Sequence, residues 1–413
     1  MQTRQYDVIV IGGGASGMMA AWTAAMRGKR VLVLEKNKTL GRKLSITGGG
    51  RCNITNAEED IHVLLKNYGP AADFLYSPFS QFGVEDTFAF FEKRGLPLVV
   101  QARKRAFPHT EKATDVCKAL ERYLHEGNVD RKFDCGVKRV LHEGGRITGV
   151  ETARGIFVAG SYIVATGGIS HGETGSSGDG FIWLKSLGHK VVPPTPTIVP
   201  LAVEEYWVKV LAGVSLSFMK ITFFLDGKRV FKEVGKVLFT HFGLSGPLIL
   251  NAARKVGDLL LAGKVTAEID AYPDTDLRAL DTTILKTLNA DKNKTLKTVF
   301  KDVIPRGTAR GITMLLPDID FETRVHSITK EERMKIARLL KALPITITGL
   351  MGYDRAVIAD GGVVLTEIDT KTMRSKRFQN LYITGDLLHI NRPTGGFSLQ
   401  LCWTTGFVAG KNA

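Results

Sequence analysis

The chain has 413 residues, more than one hydrophobic core usually serves, so two or three domains are expected. Its 44% hydrophobic and 23% charged residues are those of a globular protein and argue against disorder. Four cysteines (Cys52, Cys117, Cys135 and Cys402), with no C-x-x-C pair and no histidine cluster at metal spacing, argue against a disulfide framework or a metal centre, while a net charge of +15 favours encounter with polyanions such as RNA.

Val8 to Ile11 reads as a buried strand that runs into Gly12, Gly13 and Gly14, with Gly17 completing a G-x-G-x-x-G spacing. In that pattern Gly12 permits a tight turn, Gly14 lets the backbone approach a pyrophosphate, and Gly17 lets the following helix lie close to the strand. The helix N-terminus then presents free N–H groups to the phosphates. Met18 to Met26 continue as a helix and Val31 to Leu34 as a second strand ending at Glu35, whose carboxylate is the expected ribose ligand. The uncharged run from Val8 to Met26 approaches membrane-spanning length, but its four glycines fit a mononucleotide fold instead. No small-residue cleavage site follows it, so a cytoplasmic protein without a membrane segment is expected.

The next stretch, KNKTLGRKLSITGGGRCNITN, is too glycine-dense and too polar for an idle connection. Gly48 to Gly50 let the backbone pass close to something flat, and Arg42, Lys43 and Arg51 surround that point with positive charge. Aromatic residues crowd residues 70–110 and predict amphipathic helices packing a local core, with a lid or base-stacking surface as the alternative. QARKRAFPHT, with Arg103, Lys104, Arg105 and His109, is a basic hinge after a strand at Leu98 to Val100. Short strands with glycine turns then predict a β-meander ending at Ala165, Thr166, Gly167 and Gly168. GETGSSGDGF, from Gly172, follows no suitable strand for a second dinucleotide site and is expected to pack by the ring of a bound cofactor and start the next helix.

PPTPTIVP, residues 193–200, marks a domain crossing. Alternating strands around Asp226-Gly227 predict a hairpin in a small β-domain. Helices are expected over residues 273–343, with Leu277, Leu280, Ile284, Leu285 and Leu288 on one face. Lys286, Lys292, Lys294, Lys297, Lys301, Arg306 and Arg310 form a run that few acids interrupt, a second candidate for RNA phosphates. Thr329 and Glu332 form a capping box, and Pro344 ends that helix.

GGGASG, a strand ending in LEKN, and GRKLSITGGGRCNITN resemble the two-dinucleotide-binding-domain flavoproteins, and within them the BaiN/RdsA family of FAD-dependent oxidoreductases, which includes the aminoacetone oxidase type. THFGLSGP and the closing ITGDLLHINRPTGGFSLQ extend the resemblance over nearly the whole chain. The family pattern carries Gly-Glu where Gly385-Asp386 stand, aspartate for His389 and Tyr-Asn for Phe397-Ser398. The resemblance implies an α/β fold: a Rossmann-like FAD-binding domain (1–192 and 350–413), an inserted small β-domain (193–272 and 344–349) and a helical subdomain (273–343).

The same resemblance implies that the FAD pyrophosphate lies on Gly12, Gly14, Ala15, Ser16 and Gly17, and the adenosine ribose on Glu35 beside Lys36. Gly49, Gly50, Arg51 and Asn53 would lie near the isoalloxazine, with the positive charge of Arg42 and Lys43 suited to phosphates or to an anionic reduced ring, and Thr166, Gly167 and Gly168 would lie beside the cofactor. Gly385 and Asp386 would take the ribitol or pyrophosphate side, and Gly395, Gly396 and Phe397 the ring. Cys52, activated by Arg51, is the candidate proton donor; the other reading is a small buried residue that holds the loop. His241 either faces the flavin or is a helix-start residue satisfied by backbone. With no second nucleotide fold in the sequence, NAD(P)H would dock only transiently, or another reductant would serve. The leading expectation is reduction of a uridine in large-subunit rRNA, a substrate associated with RdsA-type members. An aminoacetone-type amine oxidase, a BaiN-like reductase of a steroid enone, and an RNA-binding assembly factor with structural FAD are the alternatives.

Overall fold

A computed structural model describes residues 6–413, which form two compact units: one up to Pro196 and from Val357 onward, the other Thr197–Ala356. In the first unit, five parallel strands stand in the order Leu381–Ile383, Ala159–Val164, Tyr6–Ile11, Val31–Leu34, Asp130–Lys132. Val8, Ile9 and Val10 are fully buried, as befits a parallel strand covered on both faces. Ile11 aligns with both Leu34 and Val164, and Val164 with Ile383. The carboxyl ends of four strands therefore lie level, and each runs on into one of the glycine- or acid-bearing loops. In open α/β sheets this edge is where ligands bind.

Of the expected meander, Val137–Glu143, Arg146–Thr152 and Gly155–Phe157 form a three-stranded antiparallel sheet. Its two flanking strands belong to the parallel sheet instead, because Asp130–Lys132 pairs with the second strand and Ala159–Val164 with the first. The aromatics of residues 70–110 take the core reading. Phe79, Phe82, Phe90 and Phe91 are buried, Phe90 stacks on Tyr123, and Phe91 meets Trp403 edge-on.

The closing helix, Phe397–Asn412, lies against the first helix, Ala15–Ala25. A Cβ on Gly406 would stand 2.4 Å from the Ser16 carbonyl oxygen, and one on Gly410 2.2 Å from that of Ala20. These two glycines, one helical turn apart, set the close approach of the helices; the sequence reading did not single them out.

In the second unit six antiparallel strands close a barrel. The hairpin turns at Asp226 (φ +48°) and Gly227 (φ +78°), the two left-handed residues that a tight hairpin needs. The helices over residues 273–343 are not a body of their own. Leu280, Ile284 and Leu288 share one core with the barrel's Ile221, Phe223, Val237 and Phe239. Leu285, one position round from Ile284, is exposed at 38% and leaves the expected face. Thr329 and Glu332 make the expected reciprocal cap. Acids do interrupt the lysine run, through the turn and the tertiary fold: Lys294 pairs with Asp291 at 2.8 Å and Lys297 with Glu322 at 2.8 Å.

Candidate active site

At the carboxyl edge of the sheet, Gly12 has φ +104°, and a Cβ there would stand 2.6 Å from the Ala165 carbonyl oxygen. A Cβ on Gly17 would meet the Gly12 oxygen at 2.0 Å, so this glycine holds the first helix against the first strand. Gly14, at the helix start, has none of the described residues within 4 Å of a would-be Cβ. Packing within the protein explains two of the three glycines; the third borders open space, beside N–H groups that lack intrahelical partners.

Glu35 is buried and ties the second strand to this turn. Its Oε2 accepts from the Gly13 N–H at 2.7 Å, and its Oε1 accepts from the Asn37 N–H at 2.8 Å and from Nδ2 at 2.7 Å. Lys36 pairs with Asp179 at 2.9 Å and Arg42 donates to Asn37 at 3.0 Å, so both cations are engaged at the Glu35 end of the site. The Gly172 stretch packs there too: a Cβ on Gly175 would fall 2.5 Å from Asn37 Nδ2, and the helix Asp179–Ser186 begins just beyond. Alongside, Lys38, Thr39, Leu40, Glu121, Val129, Asp130, Arg131 and Phe133 line a cleft of about 550 Å³. The sequence reading missed this cleft, which joins segments far apart in the chain.

The second half of the site is the turn Leu44–Gly50. Gly48, Gly49 and Gly50 are left-handed in succession, with φ +59°, +68° and +84°, and Cβ atoms on Gly49 and Gly50 would meet nothing within 4 Å. With its amide oriented to satisfy both ends, Asn53 donates to the Thr55 and Ala106 carbonyls and accepts from the Gly396 N–H at 2.9 Å. Gly396 (φ +103°) caps the closing helix with no side-chain partner, and a Cβ on it would fall 2.2 Å from the Thr55 backbone. Trp403 Nε1 donates to the Ile54 carbonyl at 3.0 Å, and Thr55 Oγ1 to Gln400 at 2.6 Å. The GGGRCN turn and the helix N-terminus thus form one rigid corner. Gly395 has φ +122°, and Phe397 is buried against Tyr68, whose hydroxyl donates to the Phe397 carbonyl at 2.8 Å.

Lys43 donates to Ser170 Oγ at 2.6 Å and lies 3.7 Å from Asp386. Arg392, itself buried, binds the other Asp386 oxygen, donates to Ser398 Oγ at 3.1 Å and to the Ile390 carbonyl at 2.8 Å. Burial pushes the Asp386 carboxyl up, but the two cations outweigh it and hold it below the usual range. Gly168 abuts Asp386, while Gly167 (φ +74°) turns the chain after Thr166, whose buried Oγ1 has no partner among the described residues. A Cβ on Gly385 would stand 3.0 Å from Ser16 Oγ, which joins this loop to the first helix.

Cys52 is completely buried in the core, and that burial pushes its thiol up to about 12, which favours the second of its two readings. Arg51 turns away from it, bonding Glu111 and Gln101 and lying 4.3 Å from the Phe107 ring centroid. Replacement of Cys52 by Ala is expected to leave turnover within about twofold of the parent in steady-state assays while costing about 1–2 kcal/mol in unfolding experiments; a large fall in turnover with unchanged stability would restore the thiol as proton donor. His241, in the second unit, stands exposed in the turn that Thr240 closes onto Gly243 at 2.9 Å. It starts no helix, since the next one opens at Pro247 behind Gly246.

Among the described residues there is no group of three or more His, Cys, Asp or Glu able to hold a metal, and no helix long and apolar enough to cross a membrane.

The chain matches the HI0933-like protein Rossmann domain over residues 6–412. It is 30% identical to the 3-dehydro-bile acid delta(4,6)-reductase of Clostridium scindens, over 98% of both chains. It is 26% identical to the ribosomal RNA dihydrouridine synthase of Escherichia coli, over 99% of this chain and 98% of that one. The open conformation of a flavocytochrome c3 fumarate reductase shares the fold, with a TM-score of 0.55 at 16% identity, covering 98% of this chain and 78% of that one. Matched over residues 6–412, the chain belongs to the HI0933-like Rossmann family and is an FAD-dependent oxidoreductase.

Proposed function

We propose that this protein reduces a carbon–carbon double bond conjugated to a carbonyl, and that its substrate is a uridine of large-subunit ribosomal RNA. The two full-length relatives support the reaction class. One is named for reducing a bile acid Δ4,6 system and the other for making dihydrouridine, in which the uracil C5=C6 bond, conjugated to the C4 carbonyl, is saturated. The net charge of +15 carries the choice of RNA, since phosphate neutralisation supplies most of a nucleic acid's affinity for a basic protein.

The residues fit FAD. The open space at Gly14 and the first-turn N–H groups of Ala15, Ser16 and Gly17 would take its pyrophosphate, Glu35 the ribose, and the cleft from Lys38 to Phe133 the adenine. Gly49, Gly50, Asn53, Gly395 and Gly396 would receive the isoalloxazine end, with open room beside Gly49 and Gly50. When bound, the flavin supplies a hydride. The chain's part is to orient and to balance charge. The start of the closing helix favours negative charge at Gly396, and Lys43 Nζ stands between Ser170 and Asp386. One strand–glycine turn–helix unit of dinucleotide type occurs among the described residues, so NAD(P)H would act as a transient donor.

Nucleoside mass spectrometry of purified large-subunit rRNA tests the proposal. Dihydrouridine should be lost when the gene is deleted and return with an intact copy. An unchanged level would overturn the RNA substrate and favour the second reading, an enone reductase, which the 30% identity to the bile acid enzyme supports. That activity is read directly as loss of enone absorbance.

A further inference from the structure

The strands Leu98–Gln101 and Arg105–Pro108 are joined through Ala102, Arg103 and Lys104. Arg103 has φ +61° and Lys104 φ +55°. Such a tight connection calls for glycine or asparagine at left-handed positions, yet two long basic side chains occupy consecutive ones. Strain of this kind persists where the surrounding structure fixes it and is concentrated at functional sites.

The fixing contacts lead to the site. The Ala57 N–H donates to the Lys104 carbonyl at 2.6 Å. Asn56 Nδ2 donates to the Arg103 carbonyl at 3.2 Å and also to the Gly395 carbonyl at 3.1 Å. One side-chain amide therefore holds the strained turn to the loop at the start of the closing helix. Two of the three cations are occupied: Lys104 pairs with Glu58 at 2.7 Å, and Arg105 donates to the Ala102 carbonyl at 3.1 Å. The nearby Glu111 is bound to Arg51. Arg103 is exposed and has no carboxylate partner among the described residues. The fold thus holds one uncommitted guanidinium, in a costly conformation, at the rim of the glycine-lined corner.

We infer that Arg103 binds a backbone phosphate of the RNA strand whose base is reduced, an inference that rests on the RNA reading above. Phosphate contacts of this kind fix the register of a nucleic acid rather than read its sequence. Here the contact would set which nucleotide stands over the reacting corner.

Arg103→Gly tests this cleanly, because glycine is at home in the left-handed region and the fold loses only the charge. The full-length, FAD-loaded protein is titrated with transcribed large-subunit rRNA over a salt series. The thermal midpoint and the rate of anaerobic flavin reduction by NADH and NADPH are followed in parallel. The variant should melt no earlier than the parent and bind the transcript about 5-fold more weakly, with a log–log salt slope lower by about 1. Arg103→Lys should recover the slope. Unchanged affinity and slope in Arg103→Gly, with the parent binding normally, would overturn the inference and leave the RNA reading standing. Slower reduction by NADH or NADPH at unchanged RNA affinity would also overturn it and assign the turn to the donor's phosphates. A parent protein that shows no salt-dependent binding of the transcript would defeat both.

Discussion

Gly14→Val is expected to give a folded, colourless protein. Gly14 is extended (φ −82°, ψ −170°), a conformation that any residue adopts, and a Cβ there meets no atom of the described residues within 4 Å. The flavin-free variant should therefore unfold together with the flavin-free parent. Its side chain would instead fill the space assigned to the pyrophosphate. Overpacking there costs about 1–3 kcal/mol, roughly 5- to 150-fold in FAD affinity. Gly17→Val should behave in the opposite way. With the Gly12 oxygen 2.0 Å from its Cβ, it separates the first strand from the first helix and destabilises the unit itself. Visible flavin absorbance after purification, set against urea midpoints of the flavin-free proteins, distinguishes the two. A Gly14→Val protein that binds FAD as tightly as the parent would show that the cofactor lies elsewhere.

Arg392→Met should be the most damaging single change outside the glycines. The Arg392 side chain is 1% exposed and Asp386 15%, so the variant strands a buried carboxylate with only the more distant Lys43 beside it. Removing one partner of a buried pair costs about 3–5 kcal/mol, and the surviving lysine places this case near the lower figure. The pH dependence follows from the direction of the shift. Asp386 titrates below its ordinary 3.8 in the folded protein, so its stabilising contribution is present above that value and lost as the pH falls through the folded value. Without Arg392, burial raises the group, and acid unfolding should begin at a higher pH than in the parent. Tryptophan fluorescence during acid titration measures this. Adding Asp386→Asn to Arg392→Met should recover part of the loss, and failure to do so would mean that the arginine acts through Ser398 and the Ile390 carbonyl instead.

What the amino-acid sequence determined by itself is what neighbouring residues encode. The unit from Tyr6 to Glu35 was legible because strand, glycine turn, helix and second strand follow without interruption, each with its own periodicity. The hairpin at Asp226-Gly227 and the cap at Thr329 were legible for the same reason. Tertiary structure alone decided which groups meet. Lys36, Lys43 and Lys297 are equally basic on paper, yet Asp179, Asp386 and Glu322 claim them across long stretches of chain. Cys52 beside Arg51 suggested an activated thiol, but the turn directs one side chain into the core and the other toward Phe107. Nor does any local pattern mark the cleft at Phe133, the Gly406 and Gly410 contacts, or the left-handed arginine and lysine at residues 103 and 104. Periodicity and turn chemistry are properties of short segments, whereas burial, ion-pair choice and tolerated strain depend on contacts that exist only once distant segments have packed.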